Sequence, residues 1–213
     1  MKTLQLVTLL AAILGSGLMA GLFVGFAYSV MPGLGRSSDR TMIEAMQNIN
    51  QAIVNGWFLL LFLGPIPLLI LAAVLAWRGQ GRPALPWILA ALALYLVAFL
   101  ITSGVNVPLN DQLAEVGNPR HIHDLEAIRS GFESKWVTWN IARGVLHTVA
   151  FGCLAWALVI YGTHRTLSAA DQDVRARPVR THRAERVGSC RPDRSPVSWG
   201  RRGTCNPRQA GGS

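Results

Sequence analysis

The residues of this chain that could do chemistry form a short stripe. Trp136, Asn140, Arg143 and His147 follow one another at intervals of four, three and four, which puts them on one face of a helix. Trp139 stands beside them. A guanidinium and a carboxamide offer N–H donors, and an imidazole exchanges a proton near neutral pH. Further amides stand at the ends of other apolar stretches: Asn48 and Asn55, sharing a face at i and i+7, and Asn106 and Asn110. Together such groups can hold a polar atom of a ligand. The competing structural reading is that Arg143 snorkels to an interface and the amides stitch helices together. His147 alone reads either as an interhelical hydrogen-bonding residue or as a base.

Metal and cofactor chemistry have weaker signals. His121-Ile122-His123 with Asp124 and Glu126 matches no closed zinc pattern and reads as a solvated loop. A haem would want axial histidines at matching depth, and only His147 falls deep within an apolar stretch. No glycine-rich phosphate loop follows a strand, and no nucleophile elbow is present. The sequence therefore points to no metal, and to no nucleotide enzyme. Cys153 lies in an apolar stretch and Cys190 and Cys205 in a basic tail, so no disulfide framework is expected.

The elements that must carry these residues are legible in where charge is missing. Charged residues make up 15% of the chain, against about 25% in soluble domains, which argues against a soluble globular enzyme. Four runs lack charge altogether: Thr3–Gly35, Ala45–Trp77, Pro83–Asn110 and Gly144–His164, of 33, 33, 28 and 21 residues. Crossing the hydrocarbon takes about 20 apolar residues, so each run holds one span. These are expected near 4–31, 53–77, 84–105 and 141–163. A cleaved signal peptide competes for the first run, but its apolar stretch continues to Met31, beyond a signal core of about 7 to 15 residues. At 1.5 Å per residue Arg143 lies about one turn inside the fourth span and His147 about 6 Å deeper.

Loop charges set the expected orientation. Lys2, the loop with Arg78 and Arg82, and the tail from His164-Arg165 are basic, whereas the opposite loops pair five basic residues with seven acids. Both termini are thus expected in the cytoplasm of a multi-pass cell-membrane protein. Trp77 and Trp87 at one level, with Trp57, Trp136 and Trp139 at the other, suit interfacial belts. Residues 1–165 form the expected four-helix transmembrane domain. Residues 166–213, with ten Lys/Arg against four acids, form an expected disordered Arg/Pro/Gly-rich tail, whose charge makes the high pI a poor reason to invoke nucleic acid.

Details of packing follow. Gly17, Gly21 and Gly25, with Ser29 next in the series, give a small-residue face for a neighbouring helix. Gly64-Pro65-Ile66-Pro67 removes two backbone donors in the second span and predicts a kink whose freed carbonyls need partners. A helix starting at Asp39, with that acid as its cap, is expected to run straight into the second span. Pro108 opens a short helix through Val116 that Asn118-Pro119 ends. Leu125, Ile128, Phe132 and Trp136 make an amphipathic helix leading into the fourth span. The whole is an all-α four-transmembrane-helix bundle, with short amphipathic helices on the non-cytoplasmic side and an outward-facing polar pocket.

Tyr28-Ser29-Val30-Met31-Pro32, Met46-Gln47-Asn48-Ile49-Asn50, Asn106-Val107-Pro108-Leu109-Asn110 and Trp136-Val137-Thr138-Trp139-Asn140-Ile141-Ala142-Arg143 together resemble the anthrone oxygenase-like family of small four-helix membrane proteins. The resemblance covers about residues 5–163. It implies oxidation of a polycyclic aromatic ketone to a quinone by O2, without flavin, haem or metal. On that basis Arg143 and Asn140, with Asn106 or Asn110, are candidate donors to a developing oxyanion, and Trp136 or Trp139 a stacking surface. His147 is the candidate base by its position on the helix face. The partners implied are the bilayer, a lipophilic aromatic molecule and O2. From another class, a non-enzymatic membrane protein that binds or passes a lipophilic molecule, or a helper subunit of a membrane complex, fits the same bundle.

Overall fold

Four apolar stretches become four helices long enough to cross a membrane: Thr3–Gly35, Gly56–Arg78, Arg82–Glu115 and Leu125–Thr166. They belong to a computed structural model that describes residues 2–79 and 81–176. The first is α1 (Lys2–Gly25), a π-helical turn (Phe26–Val30) and α2 (Met31–Gly35) in one continuous rod. Then α3 (Asp39–Ile53) lies between the first two spans, and the second span is α4 (Gly56–Leu63) and α5 (Pro65–Arg78). The third joins α6 (Leu85–Ile101), a second π-helical turn (Thr102–Asn106) and α7 (Val107–Glu115), and the last is α8 (Leu125–Ala176).

Residue chemistry explains where the helices start and stop, and corrects two expectations. The N-cap of α3 is Ser38, whose Oγ accepts the Thr41 N–H at 3.2 Å; Asp39 sits in the first turn instead. Nor does α3 continue into the second span. The chain turns at Val54, and Asn55 starts a new helix by accepting the Phe58 N–H at 3.0 Å on Oδ1. Asp124 starts α8 in the same way, taking the Ala127 N–H at 3.0 Å. Gly117, at φ 75, supplies the left-handed residue that ends α7. The amphipathic stretch from Leu125 and the fourth span form one helix. That helix also includes 166–176, the first part of the stretch expected to be a tail; residues 177–213, with Cys190 and Cys205, lie outside the described residues.

Prolines within the membrane-length rods act through the donor they lack and through the bulk of the ring. Pro65 cannot donate to Leu61, and Tyr95 fills the gap from the third span: its hydroxyl lies 3.3 Å from Leu61 O and 2.9 Å from Phe62 O. The break between α4 and α5, where the sequence leads one to expect a kink, is thus stitched from inside the bundle. Proline also clashes with the carbonyl four residues back. Ahead of Pro32 and Pro108 the helix widens to π geometry, with Met31 N–H reaching Phe26 O and Val107 N–H reaching Thr102 O, each five residues back.

Packing differs along the bundle. At the end holding the N-terminus, small residues let the helices close up: Ala72, Ala73, Ala76, Ala84 and Ala157 surround Leu9 and Ile88. Gly15 is the glycine that permits close approach, since a Cβ there would lie 2.8 Å from Pro65 Cγ. The glycine stripe expected to do this does so only at Gly17, against Phe151; Gly21 and Gly25 face open space. The other, cap end is filled by Met31, Met42, Ile43, Met46, Leu113, Phe132 and Trp136. Arg129 ties the 35–39 turn to α8, donating to Gly35 O at 2.9 Å, Ser37 O at 3.0 Å, Asp39 Oδ1 at 2.9 Å and Glu133 Oε2 at 2.6 Å. Trp57, Trp77, Trp87 and Trp139 are exposed as belt residues should be, but Trp136 is buried in the cap.

Candidate active site

Two spans change helical register at the same level of the bundle, and α8 places its polar stripe beside them. Asn140 Nδ2 donates to Phe23 O at 2.9 Å, just ahead of the first π turn. Asn106, the last residue of the second π turn, donates through Nδ2 to Trp136 O at 3.3 Å. Trp136 in turn donates through Nε1 to Asn110 Oδ1 at 2.8 Å. Both π turns thus lie next to groups bonded to α8, and π turns are frequent at functional sites.

The guanidinium of Arg143 points inward. Its side chain is only 5% exposed, and Nη2 and Nε lie 3.1 and 3.4 Å from Asn140 Oδ1. Its flat faces are covered by aromatic rings, with Cζ 4.3 Å from the Phe23 centroid and 5.3 Å from that of Trp136. Among the described residues no carboxylate lies within ion-pair reach of it. A cation at mid-helix depth costs about 2.5 to 3.5 kcal/mol to insert. Here one amide oxygen and two π faces offset part of that, and the remaining donors serve a cavity.

That cavity is about 290 Å³, at the lower edge of small-molecule sites, which span roughly 300 to 1,000 Å³. Arg143, Asn140, Trp136 and Asn110 line it, as the sequence stripe suggests. Its wall is otherwise mainly apolar, not polar as expected, and is built from residues the stripe does not name: Phe23, Phe26, Phe58, Phe62, Ile49 and Ile53. Asn50, Thr102 and Ser103 add polar atoms, and Asn50 Nδ2 is buried without a partner. A guanidinium edge thus faces a mainly apolar slot.

Other expected residues lie elsewhere. His147 is fully buried one turn beyond Arg143, stacked at 5.2 Å on Phe23 and edge-on at 4.5 Å to Tyr95. Neither of its ring nitrogens has a hydrogen-bond partner, and Phe23 stands between it and the cavity. Asn106 is buried behind the wall with Oδ1 unpartnered. Trp139 is 40% exposed and does not line the cavity. Asn55 is spent as a helix cap, and Asn48 faces an open polar groove with Gln51, Asn118 and Arg120. Among the described residues no cluster of His, Cys, Asp and Glu has metal-binding geometry.

A family model described as anthrone oxygenase matches residues 57–153, which hold the cavity's α4, its third-span wall and the whole α8 stripe. The Tyr28–Pro32 and Met46–Asn50 segments lie outside the matched range. No curated protein and no solved structure matches the chain.

Proposed function

We propose, from the match of residues 57–153 to a family model described as anthrone oxygenase and from four helices long and apolar enough to cross a membrane, that the chain belongs with that family and oxidises an anthrone-type polycyclic ketone with O2 to the quinone. The observation that carries this reading is Arg143: a buried guanidinium with no acid partner among the described residues, close to two aromatic rings and edged onto an apolar slot. Such a group is complementary to an oxyanion on a flat aromatic molecule, and a preorganised donor of this kind is worth about 100- to 1000-fold in rate.

The chemistry needs little more. Loss of a proton from the CH2 opposite the ketone gives an enolate whose oxygen meets Arg143, in a cavity that Asn110 and Asn50 also line. The enolate passes one electron to O2, and the two radicals combine into a C–O bond. The hydroperoxide then loses its remaining C–H proton and breaks O–O, releasing hydroxide that becomes water. One substrate and one O2 thus give one quinone and one water, and no cofactor is required. His147, stacked behind the Phe23 ring, is the proton acceptor in this reading. Both termini face the cytoplasm, by the loop charges.

The test is to purify the protein in detergent, supply an anthrone under air, and follow quinone absorbance. A rate above autoxidation that is lost in Arg143→Ala and Asn140→Ala, with folding intact, supports the enzyme. Saturable binding of the aromatic molecule with no turnover would replace it with a carrier for lipophilic molecules.

A further inference from the structure

The cavity's walls say how a ligand reaches it, and the water-facing end is the closed one. Met31, Met42, Ile43, Met46, Leu113 and Phe132 form a cap in which none is more than 5% exposed. The opposite, terminal half is closed by alanine packing between α5 and α6. On the side the arrangement changes. Val54, Leu59 and Val107 line the cavity yet are 65%, 41% and 43% exposed, and Ser103, on the π turn, is exposed as well. These residues come from α4 with its preceding turn and from the upper third span; beyond the break at Gly64, α5 and α6 pack closely. Trp57, 78% exposed, marks the interface level, and Leu59 lies just on its apolar side. Phe58 and Phe62, stacked at 5.4 Å, line the cavity beside these residues, and Phe99 backs Phe62 at 5.4 Å.

From these observations we infer that the cavity is filled sideways from the bilayer, through a mouth between α4 and the π turn of the third span, by a planar lipophilic molecule already dissolved in the membrane. This deepens the proposed function and rests on it for the identity of the ligand, but not for the position of the opening. Flat aromatic molecules partition into hydrocarbon, so a lateral mouth meets them at their highest concentration, and the stacked phenylalanines offer an apolar wall. The charge-assisted donors wait at the far wall, on α8. The break at Val54 and Asn55 gives the rim of the mouth a hinge.

The experiment uses Leu59→Cys in full-length protein carrying Cys153→Ser, Cys190→Ser and Cys205→Ser, reconstituted in lipid nanodiscs. The introduced thiol is offered a pyrene maleimide dissolved in the bilayer or a sulfonated, membrane-impermeant maleimide, with Gln51→Cys on exposed α3 as reference. The expected result is a preference for the lipid-borne reagent at least about tenfold greater at position 59 than at position 51, because a charged reagent enters hydrocarbon poorly. Bound anthraquinone should slow that labelling, and pyrene attached at position 59 should slow anthraquinone association, while the same label on Val145→Cys, exposed on another face of α8, should not. Equal or inverted preference at position 59, or unchanged anthraquinone association after complete labelling there, would overturn the lateral route. If anthraquinone fails to bind even unlabelled protein, the substrate reading falls, and the reagent preference alone still decides the position of the mouth.

Discussion

The two halves of the bundle use the same helices for opposite ends. In the terminal half, Ala72, Ala76, Ala91, Ala98, Ala150 and Ala157 are buried with little side-chain bulk between helix axes, and the spans close on one another. In the cap half the spans carry phenylalanines and amides, widen into π turns ahead of Pro32 and Pro108, and line the cavity. Small residues make a rigid clamp, and backbone irregularity above it leaves room for a ligand. Tyr95 sits at the junction, tying the kink to the third span with its hydroxyl and touching His147 with its ring.

Substitutions that act on one half and spare the other would sharpen this division. The largest effect is expected at Arg143→Met, which should lower quinone formation by about 100- to 1000-fold. Its melting temperature should change little, because among the described residues no acid is left unpaired and the cost of burying the cation goes together with its bonds to Asn140. A collapse in folded yield would instead make Arg143 structural. Arg129→Ala comes next. It removes four hydrogen bonds that hold the cap to α8, and about 2 to 3 kcal/mol of stability should be lost, read as a lower midpoint in thermal unfolding.

Ala76→Leu overfills the clamp and should cost about 1 to 3 kcal/mol, while the folded fraction keeps its turnover per molecule. If turnover falls as much as stability, the halves are not independent. The smallest effect is expected at Tyr95→Phe. Losing one interhelical hydrogen bond inside a membrane bundle costs roughly 0.6 to 1.7 kcal/mol. A retained midpoint there would mean that the kink needs no tie.

Much of this architecture is written in the chain. The spans follow from runs without charge, the kink from Pro65, and the inward stripe from the spacing of Trp136, Asn140 and Arg143. What spacing alone misjudges are the interruptions. Asn48 and Asn55 share a face only if the helix runs unbroken between them, and it breaks at Val54, so one faces a polar groove and the other becomes a cap. Pro32 and Pro108 mark register changes within a rod as well as they mark its ends. A glycine stripe shows where a helix could approach without showing that one does, so Gly15 carries the contact that Gly21 and Gly25 lack. His147 lies on the right face, yet helical spacing says nothing about Phe23, which the first span places in front of it. The apolar wall draws on all four spans and α3, so no local pattern discloses it.

The central claim is that the guanidinium of Arg143 meets the ligand's oxygen inside the cavity. An acidic hydroxyanthraquinone reports this directly, because its phenolate absorbs at longer wavelength than its phenol and an adjacent cation favours the charged form. Bound to the native protein, the dye should ionise at lower pH than in empty micelles, and in Arg143→Met that advantage should vanish. Identical titration curves in the two proteins would show that the cation never faces the ligand, and would contradict the account.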